Sequence, residues 1–103
     1  MSEYVQVWKA TVRSEVVDEL LAVRPDAIAE AMRLCPELIG ADLVDLGNGD
    51  WLDVLRWSAA DGEERLMTRA SEFDALGRMH ALFEDATPIG RGAVVVAAAV
   101  PSR

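Results

Sequence analysis

The segment LIGADLVDLGNGDWLDVLRWS, residues 38–58, places two of the chain's three tryptophans around a carboxylate. Side chains alternate faces along an extended strand, so Trp51, Asp53, Leu55 and Trp57 share one face. Two indoles beside an acidic group make an odd core but a reasonable pocket wall for a flat aromatic ligand. Desolvation by such neighbours raises a carboxyl pKa, which would suit Asp53 to act as a general base near neutral pH. The alternative is a carboxylate paired with an arginine or lying at the solvent edge. Trp8, Trp51 and Trp57 could stack on a ring, or fill the core or a subunit interface.

His80 is the only histidine. Its ordinary pKa near 6.5 suits proton transfer at neutrality. It shares a helical stripe with Leu76, Met79 and Phe83 that would cover the same pocket, where a histidine can also be a hydrogen-bonded core residue. One histidine with one aspartate lacks the ligand count of a zinc site, and no metal is expected. Arg56, Arg69 and Arg91 could hold an anionic substrate, or be solvated or ion-paired. The single cysteine, Cys35, excludes an internal disulfide framework and reads as an inert buried thiol.

These residues need a scaffold, and the pattern supplies one. Asn48-Gly49 accepts positive φ and favours a type I′ turn between strands Leu38–Leu46 and Trp51–Ser58. A two-residue turn sets Gly47 opposite Asp50, Leu46 opposite Trp51, Val44 opposite Asp53, Asp42 opposite Leu55 and Gly40 opposite Trp57. Asp42 then becomes a second carboxylate on the pocket face, and Gly40 leaves space beside the last indole. Tyr4–Val12 is rich in β-branched and aromatic residues and reads as a strand. Ser14 is placed to cap a helix with apolar residues at Val17, Leu20, Leu21, Ile28, Ala31, Met32 and Cys35. Arg24 interrupts that face, Pro25 predicts a kink or break, and Pro36 a stop. Asp61 and Glu64 resemble a capping box for a helix turning Leu66, Met67 and Ala70 inward. Ser71–Asp74 bends the path before the His80 stripe, which Thr87-Pro88 closes. The last strand is expected within Ile89–Val100, whose run AVVVAAAV predicts burial on both faces, one of them against a partner sheet.

The order β-α-β-β-α-β with right-handed crossovers gives an α+β, ferredoxin-like fold. It is a four-stranded antiparallel sheet with helices on one face. At 103 residues it is a single domain, 1–103. A net charge of −8, from 18 acidic and 10 basic residues, opposes nucleic-acid binding. No run is long enough to span a bilayer, and MSEYVQVWK lacks the features of a signal peptide, so no membrane partner and a cytoplasmic location are expected. Half the residues are hydrophobic, which for so small a domain suggests burial against a second subunit.

The strand WLDVLRW running into a capped helix after a βαβ half resembles the antibiotic biosynthesis monooxygenase (ABM) type of dimeric α+β barrel. The likeness spans Tyr4 to about Val96, with Trp57 matching a strand-ending tryptophan. The resemblance implies a homodimer whose sheets close into a barrel and whose protomers each hold a pocket between sheet and helices. It implies a cofactor-independent monooxygenase that oxidises small aromatic or polyketide-type molecules with O2, with Asp53 or His80 as base. Polyketide cyclases and isomerases share the fold, and a non-catalytic binding module is a further alternative. Quinone-forming members carry an Asn four residues before the Trp, where this chain has Asp53. They also carry a Tyr on the following helix, where Ala59 to Met79 has none. Haem-degrading members pair a first-strand Asn with a helical Trp and His; only His80 could match, and haem is not expected.

Overall fold

The computed structural model describes residues 3–95. Strand β1 (Tyr4–Thr11) leads through a single 3-10 turn, Ser14–Val16, into α1 (Val17–Leu34). The hairpin of β2 (Leu38–Gly47) and β3 (Asp50–Trp57) follows. The second crossover is α2 (Gly62–Met67), a 3-10 turn at Ala70–Glu72, and α3 (Ala75–His80), before β4 (Asp85–Ala93). All pairings are antiparallel in the order β2-β3-β1-β4. This is the expected ferredoxin-like arrangement, and the core forms where the helices meet one sheet face. Leu20, Ala27, Ala31 and Leu34 of α1 pack with Leu76 and Met79 of α3 over Leu38, Trp51 and Trp57. Each buried leucine or methionine among them contributes about 1.5–3 kcal/mol by leaving water.

The hairpin departs from its expected register. Asn48 and Gly49 adopt positive φ (54° and 83°) as a type I′ turn requires, but Gly47 is also left-handed (φ 84°). Its N–H is taken by the Asp45 carboxylate at 2.8 Å, and Leu46 is left outside the pairing as a bulge. Beyond Gly47–Asp50 the strand therefore slips by one residue. Asp45 faces Trp51, Leu43 faces Asp53 and Ala41 faces Leu55, and a second irregularity, which leaves Ile39 unpaired, sets Leu38 opposite Trp57. One residue of slip exchanges the faces of β2. Asp42 pairs with Val54 on the other face and is no second pocket carboxylate, and Gly40 lies opposite Arg56. The space beside the Trp57 indole comes instead from Gly62, where a Cβ would lie 2.9 Å from Trp57 Cδ2.

Other local expectations are adjusted by tertiary context. Helix α1 runs unbroken through Pro25, which is exposed. The missing N–H would have served the carbonyl of Leu21, whose side chain is also exposed rather than inward. Ser14 begins the 3-10 turn and caps nothing. Asp61 is the N-cap residue of α2, yet its carboxylate binds Arg65 Nε at 2.9 Å rather than a backbone N–H. Of the three residues expected inward there, Leu66 is buried while Met67 and Ala70 are exposed, because α2 ends at Met67. Strand β4 starts four residues earlier than expected and contains Thr87 and Pro88. Pro88 is tolerated because β4 is an edge strand. Most of the run expected to be buried on both faces lies outside the described residues; β4 itself is exposed throughout.

Helix α3 has only six residues, too short to hold itself together. Its N-terminus is held by Glu30 of α1, a buried carboxylate accepting the backbone N–H groups of Asp74 (3.0 Å) and Leu76 (2.9 Å). The Leu76 N–H bond is the foremost reason that the Glu30 pKa is lowered. A depressed carboxyl pKa stabilises the fold above the unfolded value near 4.5 and is lost as pH falls through the folded value. Glu30→Ala is expected to cost about 1–3 kcal/mol in urea unfolding at pH 7, and the gap to wild type should shrink below pH 4.5.

Candidate functional site

Between the inner sheet face and the helices lies a cavity of about 300 Å³, at the lower end of small-molecule sites. Its floor follows from the alternation of β1 and β3. Gln6, Trp8 and Ala10 point inward from β1, and Asp53, Leu55 and Trp57 from β3. Register sets them in rows, with Trp8 opposite Asp53, Gln6 opposite Leu55 and Tyr4 opposite Trp57. The roof includes Ile28 of α1, Glu63 and Leu66 of α2, and Leu76, Met79 and His80 of α3, with Phe83 just beyond it.

Of the residues singled out from the sequence, Asp53, His80, Trp8, Trp57, Leu76, Met79 and Phe83 meet in this cavity. Trp51 does not; it is buried in the core next to the hairpin turn. It shares the strand face with Trp57, but six residues of strand separate them by about 20 Å. Arg56 pairs with Glu3 and Arg69 with Glu72, both at the surface, and Arg91 is exposed; none of them lines the cavity. Cys35 is buried, its thiol donating to Glu37 and to the Gly62 carbonyl, and burial pushes its pKa up.

Asp53 lies in the cavity wall, but not as an isolated carboxylate in an aromatic setting. Arg24 Nη1 and Nη2 donate to its two oxygens at 2.7 and 2.8 Å. The side chains are 11% and 10% exposed. This is the ion-paired alternative, and it engages the lone pairs that a base would offer. Arg24 was visible in the sequence only as an interruption of the α1 apolar face; its partner, 29 positions on, was not. Nη1 also approaches Met79 Sδ at 3.7 Å, linking the pair to α3.

His80 lines the same cavity while keeping part of its surface exposed, its ring tilted 35° to Phe83 at 6.2 Å between centroids. Desolvation by packing holds its pKa below the usual imidazole value. The Asp53 carboxylate opposes that shift and the Arg24 guanidinium reinforces it. His80 is thus a weaker base than a free imidazole. Glu63 and Gln6, not recognised from the sequence, complete the polar lining: Gln6 Nε2 donates to Glu63 Oε2. Among the described residues, Gln6 Oε1 and Trp57 Nε1 are buried without hydrogen-bond partners.

No family model and no curated protein matches the sequence. Solved structures do match. SnoaB from Streptomyces nogalater, a cofactor-independent oxygenase, is 17% identical with a TM-score of 0.67, over 99% of this chain and 100% of that one. A candidate antibiotic biosynthesis monooxygenase from Bordetella bronchiseptica is 13% identical with a TM-score of 0.77, over 93% and 100%. A dimeric ferredoxin-like protein of unknown function from Thermobifida fusca is 17% identical with a TM-score of 0.63, over 90% and 92%. These likenesses bear out the resemblance to the ABM type at the level of fold.

Removing one member of a buried ion pair strands the other charge. Arg24→Met or Asp53→Leu alone should lose about 3–5 kcal/mol in denaturant unfolding, whereas the double replacement should recover most of that loss. Additive losses in the double variant would show that the two side chains are not coupled.

Proposed function

We propose that this chain is a small-molecule enzyme that oxidises a flat aromatic or polyketide-type substrate with O2, without a metal or flavin. The observation that carries the reading is the imidazole of His80, its pKa lowered chiefly by desolvation, at the edge of a largely apolar cavity floored by Trp8 and Trp57. His80 accepts a phenolic or activated C–H proton from a ring lying against the indoles. The electron-rich anion then reduces O2, forming a carbon–oxygen bond, and loss of water yields a quinone: phenol plus O2 gives quinone plus H2O. All the electrons come from the substrate. Leu76, Met79 and Phe83 keep water from the reacting carbon, and Asp53, held by Arg24, is a positioning residue.

The likeness to SnoaB supports the oxygenase reading. The site acts in a homodimer, with a second copy covering the outer sheet face. Val44 is exposed there, and Val5, Val7, Leu52 and Val54 are only half-buried. Solved neighbours of this fold described as dimeric support that assembly. No described helix is long and apolar enough to cross a membrane, and the proposed setting is the cytoplasm.

Oxygen uptake with tricyclic phenols tests the chemistry, and light scattering at twice the 11.2 kDa chain mass tests the dimer. His80→Ala is expected to lower kcat by about 10²–10⁴-fold. The wild-type rate should fall at acid pH with a midpoint below 6.5, and that acid limb should vanish in the variant. Equal turnover without O2 would replace the oxygenase reading with a cyclase or isomerase using the same base, and an unchanged rate in His80→Ala would remove His80 from the chemistry.

A further inference from the structure

The polar lining has a second pole that the proton transfer at His80 does not use. Gln6 is 4% exposed and Trp57 3% exposed, and both line the cavity. Gln6 donates through Nε2 to the Glu63 carboxylate, which leaves Oε1 as an acceptor without a partner among the described residues. Trp57 Nε1 is a donor in the same position. Buried polar groups left unpaired each cost a substantial fraction of a domain's stability, so each calls for an explanation.

The two groups are neighbours by register. Gln6 pairs with Leu55 and Tyr4 with Trp57, so Gln6 and Trp57 are diagonal partners on one face, within reach of a single small group. That row lies one strand period, about 7 Å, from the Trp8–Asp53 row. One orphan acceptor beside one orphan donor matches a group that both donates and accepts, which is a neutral hydroxyl. Charge favours the same choice. Asp53 is neutralised by Arg24, but Glu63 meets only an amide, and among the described residues no lysine or arginine lines the cavity.

Resting on the ring-binding cavity of the proposed function, we infer that Gln6, oriented by Glu63 and assisted by Trp57, forms a hydroxyl-recognising subsite. It selects neutral hydroxylated aromatic molecules over carboxylated ones. Gln6 and Trp57 touch the ligand; Glu63 acts through Gln6 by holding the amide so that its oxygen is free to accept.

Equilibrium dialysis with 2-naphthol, 2-methylnaphthalene and 2-naphthoate tests this in wild type, Gln6→Leu and Glu63→Gln. Wild type should bind 2-naphthol about tenfold tighter than 2-methylnaphthalene, as one or two hydrogen bonds imply, and 2-naphthoate most weakly. Gln6→Leu should abolish the preference for 2-naphthol and Glu63→Gln should reduce it. Both variants should still bind 2-methylnaphthalene, which shows that each retains a folded cavity. An unchanged preference in Gln6→Leu, or tighter binding of 2-naphthoate than of 2-naphthol, would overturn the subsite and leave the ring-binding cavity standing. Failure of wild type to bind any of the three would overturn the cavity reading, and the subsite with it.

Discussion

In the interior, a guanidinium from α1 and a carboxylate from β3 meet through two parallel hydrogen bonds, and the site is arranged around that contact. A bidentate pair is geometrically demanding, so it sets the height and rotation of α1 over the sheet. Six residues along the same helix, about 9 Å, Glu30 grips the start of α3. One helix thus carries two buried charges of opposite sign, one directed at the floor of the cavity and the other at its roof. Their positions determine where Met79 and His80 stand above the sheet. The pair also divides the labour among polar groups. The oxygens of Asp53 are taken by that pair, while the pKa of His80 is lowered chiefly by the packing around it.

The cavity floor is a consequence of strand periodicity. Rows one strand period apart present an indole with a carboxylate, an amide with a leucine, and a second indole. Such a floor offers apolar area for a ring and few points at which polar substituents can be read. Selectivity therefore depends on those few groups, because apolar contact alone distinguishes ring systems weakly. Gly62 completes the shape by letting α2 settle directly on the Trp57 ring.

Much of this could be read from the chain. The order of elements, the inward face of β3 and the stripe of Leu76, Met79, His80 and Phe83 follow from periods of two and 3.6, and seven of the eight residues singled out for the site line the cavity. What was not legible depends on geometry that no local pattern carries. The slip in β2 arises because Gly47 takes a left-handed conformation and Asp45 captures its N–H, a choice that costs one residue of register and removes Asp42 from the site. Arg24 interrupts an apolar stripe, which marks it as unusual, but nothing near it in sequence points to Asp53. Gln6 is the inward neighbour of Trp8 on a strand whose β-branched and aromatic residues draw attention away from it. The short helix α3 owes its start to the grip of Glu30, not to its own propensity.

Packing lowers the pKa of the His80 imidazole where it borders the cavity. Since the chain has one histidine, its ring protons can be followed without ambiguity by NMR as pH is varied. The titration midpoint is expected below 6.5 in the folded protein, returning to the ordinary value when the protein is unfolded in urea. A folded-state midpoint at or above 6.5 would contradict it.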